Sequence, residues 1–486
     1  MDGDISNKPK LIPTRKAQTA PSDALYVKPE KVYPREVSGR FNRLRVLAVV
    51  ALLGWYYALP WLQWDGRQAV LFDLPARKFY LFGLVLWPQD FIYLALLLVI
   101  AGLSLFFFTA LAGRLWCGYA CPQTVWTEVF LWMERWTEGD RPQRIKLDAA
   151  KWSADKASRK AAKHTLWLLF ALWTGFTFVG FFSPIADLGS RVFSFTLGPW
   201  ETFWVLFYAL ATWGNAGFLR EQVCIYMCPY ARFQSAMFDK DTLIIGYDPQ
   251  RGEPRGSRKR GAENKPAELG DCIDCTLCVQ VCPTGIDIRE GLQYECIACA
   301  ACIDVCDDVM DRVGYPRGLI RYDTQSGMEG KEARVLRPRT LVYGTILLAL
   351  IVGFGTALAL RVPLSVDALR DRNALYRVID DGVVENVYTL KVANRSERPR
   401  NFAIEVAGLP GLSIDMADTV LALNGGEIRE VPARLRAPTE PNVGAVPNVA
   451  VPNVGAVLRT AIITITVTAT DDPTITASTT ASFIRP

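Results

Sequence analysis

Five uncharged apolar runs alternate with polar segments along much of the chain and predict membrane-spanning helices. Each run is close to the roughly 20 residues that a helix needs to cross about 30 Å of hydrocarbon. Several have Trp or Tyr near their ends, which is typical of membrane interfaces. The runs are residues 46–64, 91–113, 164–186, 202–219 and 340–360. We therefore predict an integral membrane protein with five α-helical spans, four of them in a membrane domain of residues 45–245.

Beyond residue 361 the pattern changes to short runs rich in Val, Ile and Thr, separated by turn signals such as Asn424-Gly425-Gly426. In the clearest run, Thr464, Thr466 and Thr468 alternate with apolar residues, which gives a strand with one polar face. About seven such strands in about 110 residues predict an all-β immunoglobulin-like sandwich over residues 361–486. The best-defined runs are residues 387–393, 401–407, 427–435 and 461–469.

Two segments match neither pattern. Residues 1–44 are polar and basic, and they predict a disordered cytoplasmic tail without a cleavable signal peptide. Residues 441–457 repeat the letters Pro-Asn-Val, which predicts an expanded surface loop without a function of its own.

Lys and Arg are concentrated in two of the segments between the apolar runs, residues 114–163 and 220–339, whereas residues 187–201 hold only Arg191. Cytoplasmic loops carry the Lys/Arg excess. We therefore expect a multi-pass protein of a bacterial inner membrane, with the N-terminus inside and residues 361–486 in the periplasm. The basic residues 251–265 could attract an acidic electron donor, although such a run near a membrane more often meets anionic lipid.

Eight cysteines form two copies of the spacing C-x2-C-x2-C-x3-C, which is typical of bacterial ferredoxins. In such pairs the fourth cysteine of each run binds the other cluster, so we predict two [4Fe-4S] clusters in a cytoplasmic ferredoxin-like domain of residues 246–339. Two zinc knuckles are the alternative, because C-x2-C is also a zinc signature, but zinc does not need the duplicated spacing. Asp307 replaces the second proline of the motif, which is not a ligand. The first cluster would be held by Cys272, Cys275, Cys278 and Cys306, and the second by Cys296, Cys299, Cys302 and Cys282.

Other cofactors find little support in the sequence. The single histidine, His164, lies beside Lys163 at the edge of an apolar run and predicts an interfacial residue. One histidine and no C-x-x-C-H motif argue against haem and against histidine-rich metal sites. No phosphate-binding glycine loop lies at a strand–helix junction, so we expect no bound nucleotide or flavin. All 12 cysteines lie between residues 117 and 306, which favours a reducing compartment.

The remaining four cysteines form a duplicated C-x3-C-P motif. Cys117 and Cys121 follow the second apolar run, and Cys224 and Cys228 follow the fourth at an offset of 107 residues. Spacing i, i+4 would place the two thiols of each motif on one face of a helical turn. The duplication predicts that the four thiols meet at the cytoplasmic face of the membrane. Short amphipathic stretches, residues 125–136 and 230–238, follow the two motifs.

Three interpretations of these four thiols stay open. Soft thiolates, the neighbouring Met227 and the lack of histidine favour a copper site, since Cys and Met select Cu(I). A third iron–sulfur cluster is chemically possible, although two C-x3-C pairs are not its usual spacing. Redox-inert packing is the third interpretation, because free cysteines are often buried.

With these motifs in place, the chain resembles the cytochrome c oxidase accessory protein family, the FixG/CcoG group. The resemblance covers nearly the full length, and its most specific part is the dicluster segment that begins at Cys272. It implies a role in assembly of the cbb3-type oxidase, in which Cu(II) is reduced to Cu(I) for the copper centre. Carried across, the cluster cysteines conduct electrons, and Cys117, Cys121, Cys224 and Cys228 are the catalytic copper site.

The expected partners are a cytoplasmic electron donor, the copper ion, assembly factors or subunits of the oxidase, and membrane lipid, with no nucleic acid. Two alternatives to a cupric reductase remain. The protein could be a non-catalytic assembly scaffold or redox sensor whose sandwich domain docks oxidase subunits. It could also be a quinol-linked electron-transfer ferredoxin, although no quinone pocket is recognisable in the sequence.

Overall fold

The computed structural model describes residues 31–257, 269–372, 374–380, 382–439 and 459–486. Most of the basic tail, part of the basic run at 251–265 and the Pro-Asn-Val repeat lie outside the described residues. The chain forms two compact units. One comprises the chain up to Ala76 with Leu94–Val352, and the other comprises Arg77–Tyr93 with Gly353–Pro486.

Helices make up most of the first unit, and two of them continue into the second. The α-helices are α1 Arg40–Ala58, α2 Phe91–Ala112, α3 Leu115–Tyr119, α4 Pro122–Glu138, α5 Arg141–Ala149, α6 Ala154–Val179, α7 Ile185–Phe193, α8 Pro199–Thr212, α9 Pro229–Met237, α10 Pro249–Gly252, α11 Leu277–Gln280, α12 Ala301–Val313, α13 Gln325–Met328 and α14 Pro338–Ala359. Trp213–Leu219 and Val223–Met227 are π-helical, and Leu59–Trp61, Pro88–Asp90 and Ile288–Glu290 are 3₁₀-helical.

Three helical segments in the described part of the chain are long and apolar enough to cross a membrane, namely Arg40–Trp61, Phe91–Ala112 and Pro338–Ala359. Almost none of the apolar surface of the last two is buried within the protein. Single exposed apolar side chains are ordinary, but two long apolar helices with so little buried surface need an apolar surrounding. These three helices correspond to the first, second and fifth predicted spans.

The other two predicted spans fall on helices with different boundaries. α6 begins ten residues before His164 and ends at Val179, where Gly180 closes it and a turn leads into α7. Its charged first turns precede the predicted run, and its apolar part is shorter than that run because the helix ends at Val179. α8 ends at Thr212 and continues as the π-helix up to Leu219. A five-span arrangement therefore stays a prediction.

The end of the N-terminal tail is more ordered than the sequence predicts. Lys31 and Tyr33 donate hydrogen bonds to Asp148 of α5, each at 2.7 Å, and the backbone of Arg35 donates to the carbonyl of Gln280 at 2.9 Å. This N-terminal segment has no apolar periodicity of its own, but acceptors on distant parts of the chain hold it in place. The expectation of disorder up to residue 44 is therefore wrong for residues 31–44, and α1 begins at Arg40.

A two-stranded antiparallel sheet brackets the ferredoxin-like region. Its strands are β6 Ile244–Tyr247 and β7 Ile320–Asp323, which pair Ile244 with Asp323 and Tyr247 with Ile320. The long excursion between the strands carries the cluster cysteines on α11, α12 and their loops. Ile245, Met310 and Ile320 are almost fully buried in a core that also contains Cys272 and Cys278. The cysteines of this region are thus part of its packing.

The second unit contains a sandwich of antiparallel sheets, as the period-two pattern predicts. In β15 the side chains of Ile463, Ile465 and Val467 are fully buried, and the threonines between them are less buried. The two sheets have the orders β12-β14-β10-β8, with β9 added to β10, and β13-β11-β15-β16. Their strands are β8 Leu364–Arg370, β9 Arg377–Asp380, β10 Val383–Asn394, β11 Arg400–Ala407, β12 Ser413–Asp415, β13 Val420–Leu423, β14 Ile428–Pro438, β15 Arg459–Ala469 and β16 Thr476–Arg485.

The segment before α2 is tied to this sandwich by a buried carboxylate. Asp90 is 4 % exposed and contacts Arg361 at 2.5 Å and Arg395 at 3.4 Å. Two cations around one buried carboxylate satisfy its charge far better than one exposed pair could. The shorter strands that precede α2 are β1 Gln63–Trp64, β2 Arg67–Gln68, β3 Val70–Asp73, β4 Lys78–Leu81 and β5 Leu84–Leu86.

Candidate functional site

The two cysteine loops of the ferredoxin-like region share an unusual backbone conformation. Asp274 and Thr276 in the first loop have positive φ angles of 53° and 56°. Ala298 and Ala300, at the equivalent positions of the second loop, have φ angles of 55° and 59°. Left-handed residues other than glycine are costly and persist only where the surrounding structure requires them. Turns that alternate left-handed and right-handed residues form the anion-binding concavities found around iron–sulfur clusters.

The eight cysteines of the two loops line two neighbouring cavities. One cavity is lined by Cys272, Cys275, Cys278 and Cys306. A second cavity is lined by Cys282, Cys296, Cys299 and Cys302, and also by Cys278. Each cavity is therefore lined by three thiols of one motif together with one or two thiols of the other.

Burial keeps several of these thiols in the neutral form when no cation is bound. Burial raises the pKa of Cys278, Cys296 and Cys306 to about 12, and it raises the pKa of Cys302 well above its usual value. A bound cation deprotonates a coordinating thiol and supplies the missing charge. Because the loop conformation, the donor set and the burial agree, the residues present fit two [4Fe-4S] clusters.

In the C-x3-C-P motifs the thiols do not share one helical turn, so that expectation is wrong. Cys117 lies in the short helix α3, whereas Cys121 has extended backbone angles and caps the N-terminus of α4. In the second copy, Cys224 lies in a π-helical turn and Cys228 caps α9. The cause is the proline after each motif, because proline disfavours the helical conformation of the residue before it and is itself suited to the first helical position.

The fold nevertheless brings the two motifs together. The Sγ atom of Cys117 contacts the side-chain amide of Gln234 on α9, with its nitrogen at 3.5 Å and its oxygen at 3.7 Å. From the other side, Gln123 of α4 donates to the carbonyls of Asn215 at 2.9 Å and Arg220 at 3.1 Å, just before the second motif. Gln123 and Gln234 are therefore residues of this site that the sequence did not reveal.

The four thiols also influence one another electrostatically. Burial raises the pKa of Cys224 to about 12, and the neighbouring Cys121, Cys117 and Cys228 add to this rise. Burial raises the pKa of Cys117 to about 11. Together the four neighbouring thiols form a soft donor set that a bound cation can convert to thiolates.

The arrangement does not by itself define a single-ion site. Within the described ranges, no three His, Cys, Asp or Glu side chains are placed to hold one metal ion. Met227, the fifth candidate ligand, is 61 % exposed and lies in the same π-helical turn as Cys224. The copper, cluster and packing interpretations therefore have to be separated by chemistry.

The first motif is packed directly against the second cluster loop. A Cβ atom on Gly118 would lie 2.8 Å from the carbonyl oxygens of Ile297 and Ala298. Cys117 packs on the apolar cluster that contains Ile297 and Cys299. Only glycine permits this backbone approach. The second motif has Ile225 at the position equivalent to Gly118, and the close contact is a long-range one that the local sequence does not indicate.

We expect the Gly118→Ala variant to lose stability and part of its iron. The added methyl group would force the carbonyls of the second cluster loop apart, and such overpacking costs about 1–3 kcal/mol. Thermal unfolding and iron content in detergent measure the effect. Gly214→Ala is the matched control, because nothing lies within 4 Å of a Cβ atom there. Equal behaviour of the two variants would show that the contact at Gly118 is unimportant.

The second motif shares a cavity with the same cluster set. Cys224 and Cys299 both line a cavity of about 50 Å³, together with Gln123, Thr124 and Thr127. A thiol of the C-x3-C-P set and a predicted cluster ligand thus line the same small cavity.

Three family models match this chain. Residues 219–325 match a family described as "4Fe-4S dicluster domain", and residues 354–486 match "IG-like fold at C-terminal of FixG, putative oxidoreductase". Residues 93–138 match a "4Fe-4S binding domain", and the cysteines in that range are Cys117 and Cys121. These matches confirm the iron–sulfur and immunoglobulin-like parts of the predicted fold.

Relatives align with most of the chain. Protein RdxB of Cereibacter sphaeroides is 42% identical over 409 residues, which cover 81% of this chain and 86% of RdxB. Nitrogen fixation protein FixG of Rhizobium meliloti is 40% identical over 432 residues, covering 81% of this chain and 82% of that protein. The crystal structure of a FixG-related protein from Vibrio parahaemolyticus is 26% identical, covers 25% of this chain and 96% of that one, and has a TM-score of 0.20.

Proposed function

Since the chain belongs to the FixG family of iron–sulfur proteins, we propose that it reduces Cu(II) to Cu(I) at the thiols of its two C-x3-C-P motifs. The reaction consumes one electron for each copper ion and no proton. When bound, the [4Fe-4S] clusters supply electrons one at a time. The observation that carries the proposal is the cavity lined by both Cys224 and Cys299.

The residues of the motifs suit this reaction in two ways. Cys117, Cys121, Cys224 and Cys228 offer soft ligands, which favour Cu(I) over Cu(II) and so assist the reduction of a bound ion. The helices that carry them are held together by Gln123 and Gln234, so the ligands need not be gathered anew for each ion. Copper is thus a substrate here, and Cys282, Cys296, Cys299 and Cys302 are the nearest electron source.

The membrane arrangement is part of the proposal. Three apolar helices and the homologues indicate a membrane protein, and we propose that α6 and α8 are embedded as well. Large apolar side chains on their surfaces are strongly exposed within the protein, with Leu169 at 59 %, Phe207 at 48 % and Leu210 at 57 %. The Lys/Arg excess favours cytoplasmic clusters and a periplasmic sandwich. A cytoplasmic donor would supply the electrons, and a cbb3-type oxidase would receive the Cu(I), as the family resemblance implies.

The decisive test is anaerobic Cu(II) reduction by the chemically reduced, full-length protein in detergent. A chromogenic Cu(I) chelator follows the product for the wild type and for a variant with all four motif cysteines replaced by serine. We expect the variant to lose at least tenfold in initial rate while it keeps about eight irons per chain, as two cubes require.

The other outcomes discriminate between the alternatives. Equal rates in both proteins would leave the clusters as the only reductant and assign the motif cysteines to packing. No reduction by either protein would overturn the enzyme proposal and favour an assembly scaffold or redox sensor.

A third iron–sulfur cluster is the second candidate for the four thiols. It is favoured by the match of residues 93–138 to a "4Fe-4S binding domain", because that segment contains only the first C-x3-C-P motif. Iron analysis separates the two candidates. A copper-reducing thiol site leaves about eight irons per chain in the wild type, whereas a third cube raises this to about twelve, with about four lost in the serine variant.

A further inference from the structure

A single arginine, Arg114, connects both C-x3-C-P motifs with the second cluster loop. It lies three residues before Cys117. One terminal nitrogen donates to the carbonyls of Tyr294 and of Cys296, the latter at 3.3 Å. The other donates to the carbonyl of Ala231 on α9 at 2.9 Å. The planar fork of a guanidinium can hold several acceptors in a fixed arrangement, which a lysine cannot do.

The charge of Arg114 is buried and has no carboxylate partner. The residue is 6 % exposed, and in the part of the chain that the structure describes no ion pair forms with it. Its Nε atom has no hydrogen-bond partner there either. Its remaining contact is with the ring of Tyr294, whose centroid lies 4.8 Å from the guanidinium carbon. A buried cation that meets only carbonyls and a ring is costly, and a neighbouring negative charge would lower that cost.

Three other buried cations of this region have a carboxylate partner, whereas Lys156, also buried, binds the carbonyls of Asp148 and Ala150 with no ion pair among the described residues. Arg144 contacts Glu134 at 2.8 Å, and Lys163 contacts Glu138 at 2.9 Å. Arg337, which also binds a carbonyl of a neighbouring helix, pairs with Asp239. Arg114 differs from them because its nearest anionic groups would be the thiolates of the sites on either side of it.

We propose that Arg114 is a positioning residue, which fixes the loop of Cys296 against both C-x3-C-P motifs and makes the cluster held by that loop easier to reduce. Reduction adds one electron, and hence one negative charge, to a centre in a poorly screened interior. The reduction potential of a cluster depends on net charge, hydrogen bonding and solvent exposure near its ligands. An uncompensated cation at the Cys296 carbonyl therefore stabilises the reduced state.

The duplication sharpens this inference. The residue equivalent to Arg114 in the second motif is Glu221, three residues before Cys224. Glu221 is acidic, and burial raises the pKa of its carboxyl. The two copies of the motif have therefore diverged in charge at the same position. Only the first copy combines the cation at 114 with the close approach of Gly118 to the cluster loop, which makes it the copy that is coupled to the cluster.

An anaerobic redox titration of the full-length protein, followed by electron paramagnetic resonance, tests the proposal without copper. We expect Arg114→Met and Arg114→Gln to lower one of the two cluster midpoints, because the loop of Cys272 does not contact Arg114. The expected change is about tenfold in the equilibrium constant for reduction, or about 59 mV for a one-electron couple. Arg114→Lys keeps the charge, so its cluster midpoint is expected to differ from that of the wild type by less than a third of that shift.

Two comparisons keep the result interpretable. Arg339→Met removes a cation that also contacts α9, at the carbonyl of Ala236, but does not contact the cluster loop, and both midpoints should remain unchanged. Arg114→Gln retains amide donors, so it reports the loss of charge even if Arg114→Met loses iron. Unchanged midpoints in Arg114→Gln would overturn the proposal, as would an equal shift in Arg114→Lys. The inference depends on the cluster assignment but not on copper reduction, because the titration contains no copper.

Discussion

Joint replacement of Cys282 and Cys296 by serine is expected to remove about four of about eight irons from each chain and to leave one cluster intact. Cys282 belongs to the first motif in the sequence and Cys296 to the second, but they line the same cavity. The joint replacement of Cys282 and Cys272, two cysteines of one motif, is expected to remove nearly all the iron, because they line different cavities.

The two double variants show whether the fourth cysteine of each motif binds the cluster of the other motif, without the need to resolve the two clusters spectroscopically. If each motif held its own cluster, the variant of Cys282 and Cys272 would lose about half of the iron and the variant of Cys282 and Cys296 nearly all of it. Iron and acid-labile sulfide per chain are the measurements, made on anaerobically purified protein. Cys117→Ser is the control, since a thiol outside both cavities should leave the count at about eight. A loss of all iron in both double variants would mean that neither cluster is retained without the other.

The presence of iron–sulfur clusters could be predicted from the sequence because its signal is local. Three cysteines of each motif lie within seven residues of one another, and this spacing is typical of ferredoxins. The sandwich was predictable for a similar reason, since the alternation of Thr464, Ile465 and Thr466 follows directly from the period of a strand. In both cases the signal lies within a few residues.

The details of the C-x3-C-P site required the structure. The prolines at 122 and 229 were visible, and their effect on the preceding cysteines could have been deduced from the restriction that proline imposes. The contact of Gly118 with residues 297 and 298 could not, because nearly 180 residues separate the partners. The role of Arg114 was equally hidden, since one basic residue among many in a cytoplasmic segment suggests only membrane orientation.

The ordered N-terminal segment shows the same limit. Residues 31–39 have the composition of a disordered tail, and composition predicts whether a segment can bury apolar surface by itself. Their partners are acceptors on distant elements, such as Asp140, whose side chain accepts from the backbone of Glu36 at 3.0 Å. A segment that is ordered by contacts with distant elements need not show a periodic pattern of apolar residues in its own sequence.

A buried carboxylate connects the helices that surround the second C-x3-C-P motif. Glu134 of α4 is 1 % exposed, and it contacts Arg144 at 2.8 Å, Arg220 at 3.0 Å and Lys163 at 3.8 Å. Arg220 ends the π-helical segment just before that motif, so the network fixes the position at which the second pair of thiols begins. Glu138 neutralises Lys163 on the opposite side at 2.9 Å.

The Glu134→Gln variant is expected to lose about 3–5 kcal/mol of stability, because removing one partner of a buried ion pair leaves uncompensated charge. Here two arginines lose their partner at once, so the upper end of that range is expected. Thermal unfolding in detergent at neutral pH is the measurement. Asp155→Ala is the control, since its pair with Arg159 is exposed and should contribute less than about 1 kcal/mol. A variant as stable as this control would contradict the role of the network.

The pH dependence gives an independent check on the same carboxylate. Burial alone would raise the pKa of Glu134, but Arg220, Arg144 and Lys163 outweigh it and hold the pKa below its usual value of 4.5. Its stabilising effect is therefore complete above about pH 4.5 and is lost as the pH falls through the lowered pKa. The difference in unfolding temperature between wild type and Glu134→Gln should narrow over that acidic range. A constant difference would mean that the glutamine disturbs packing rather than charge.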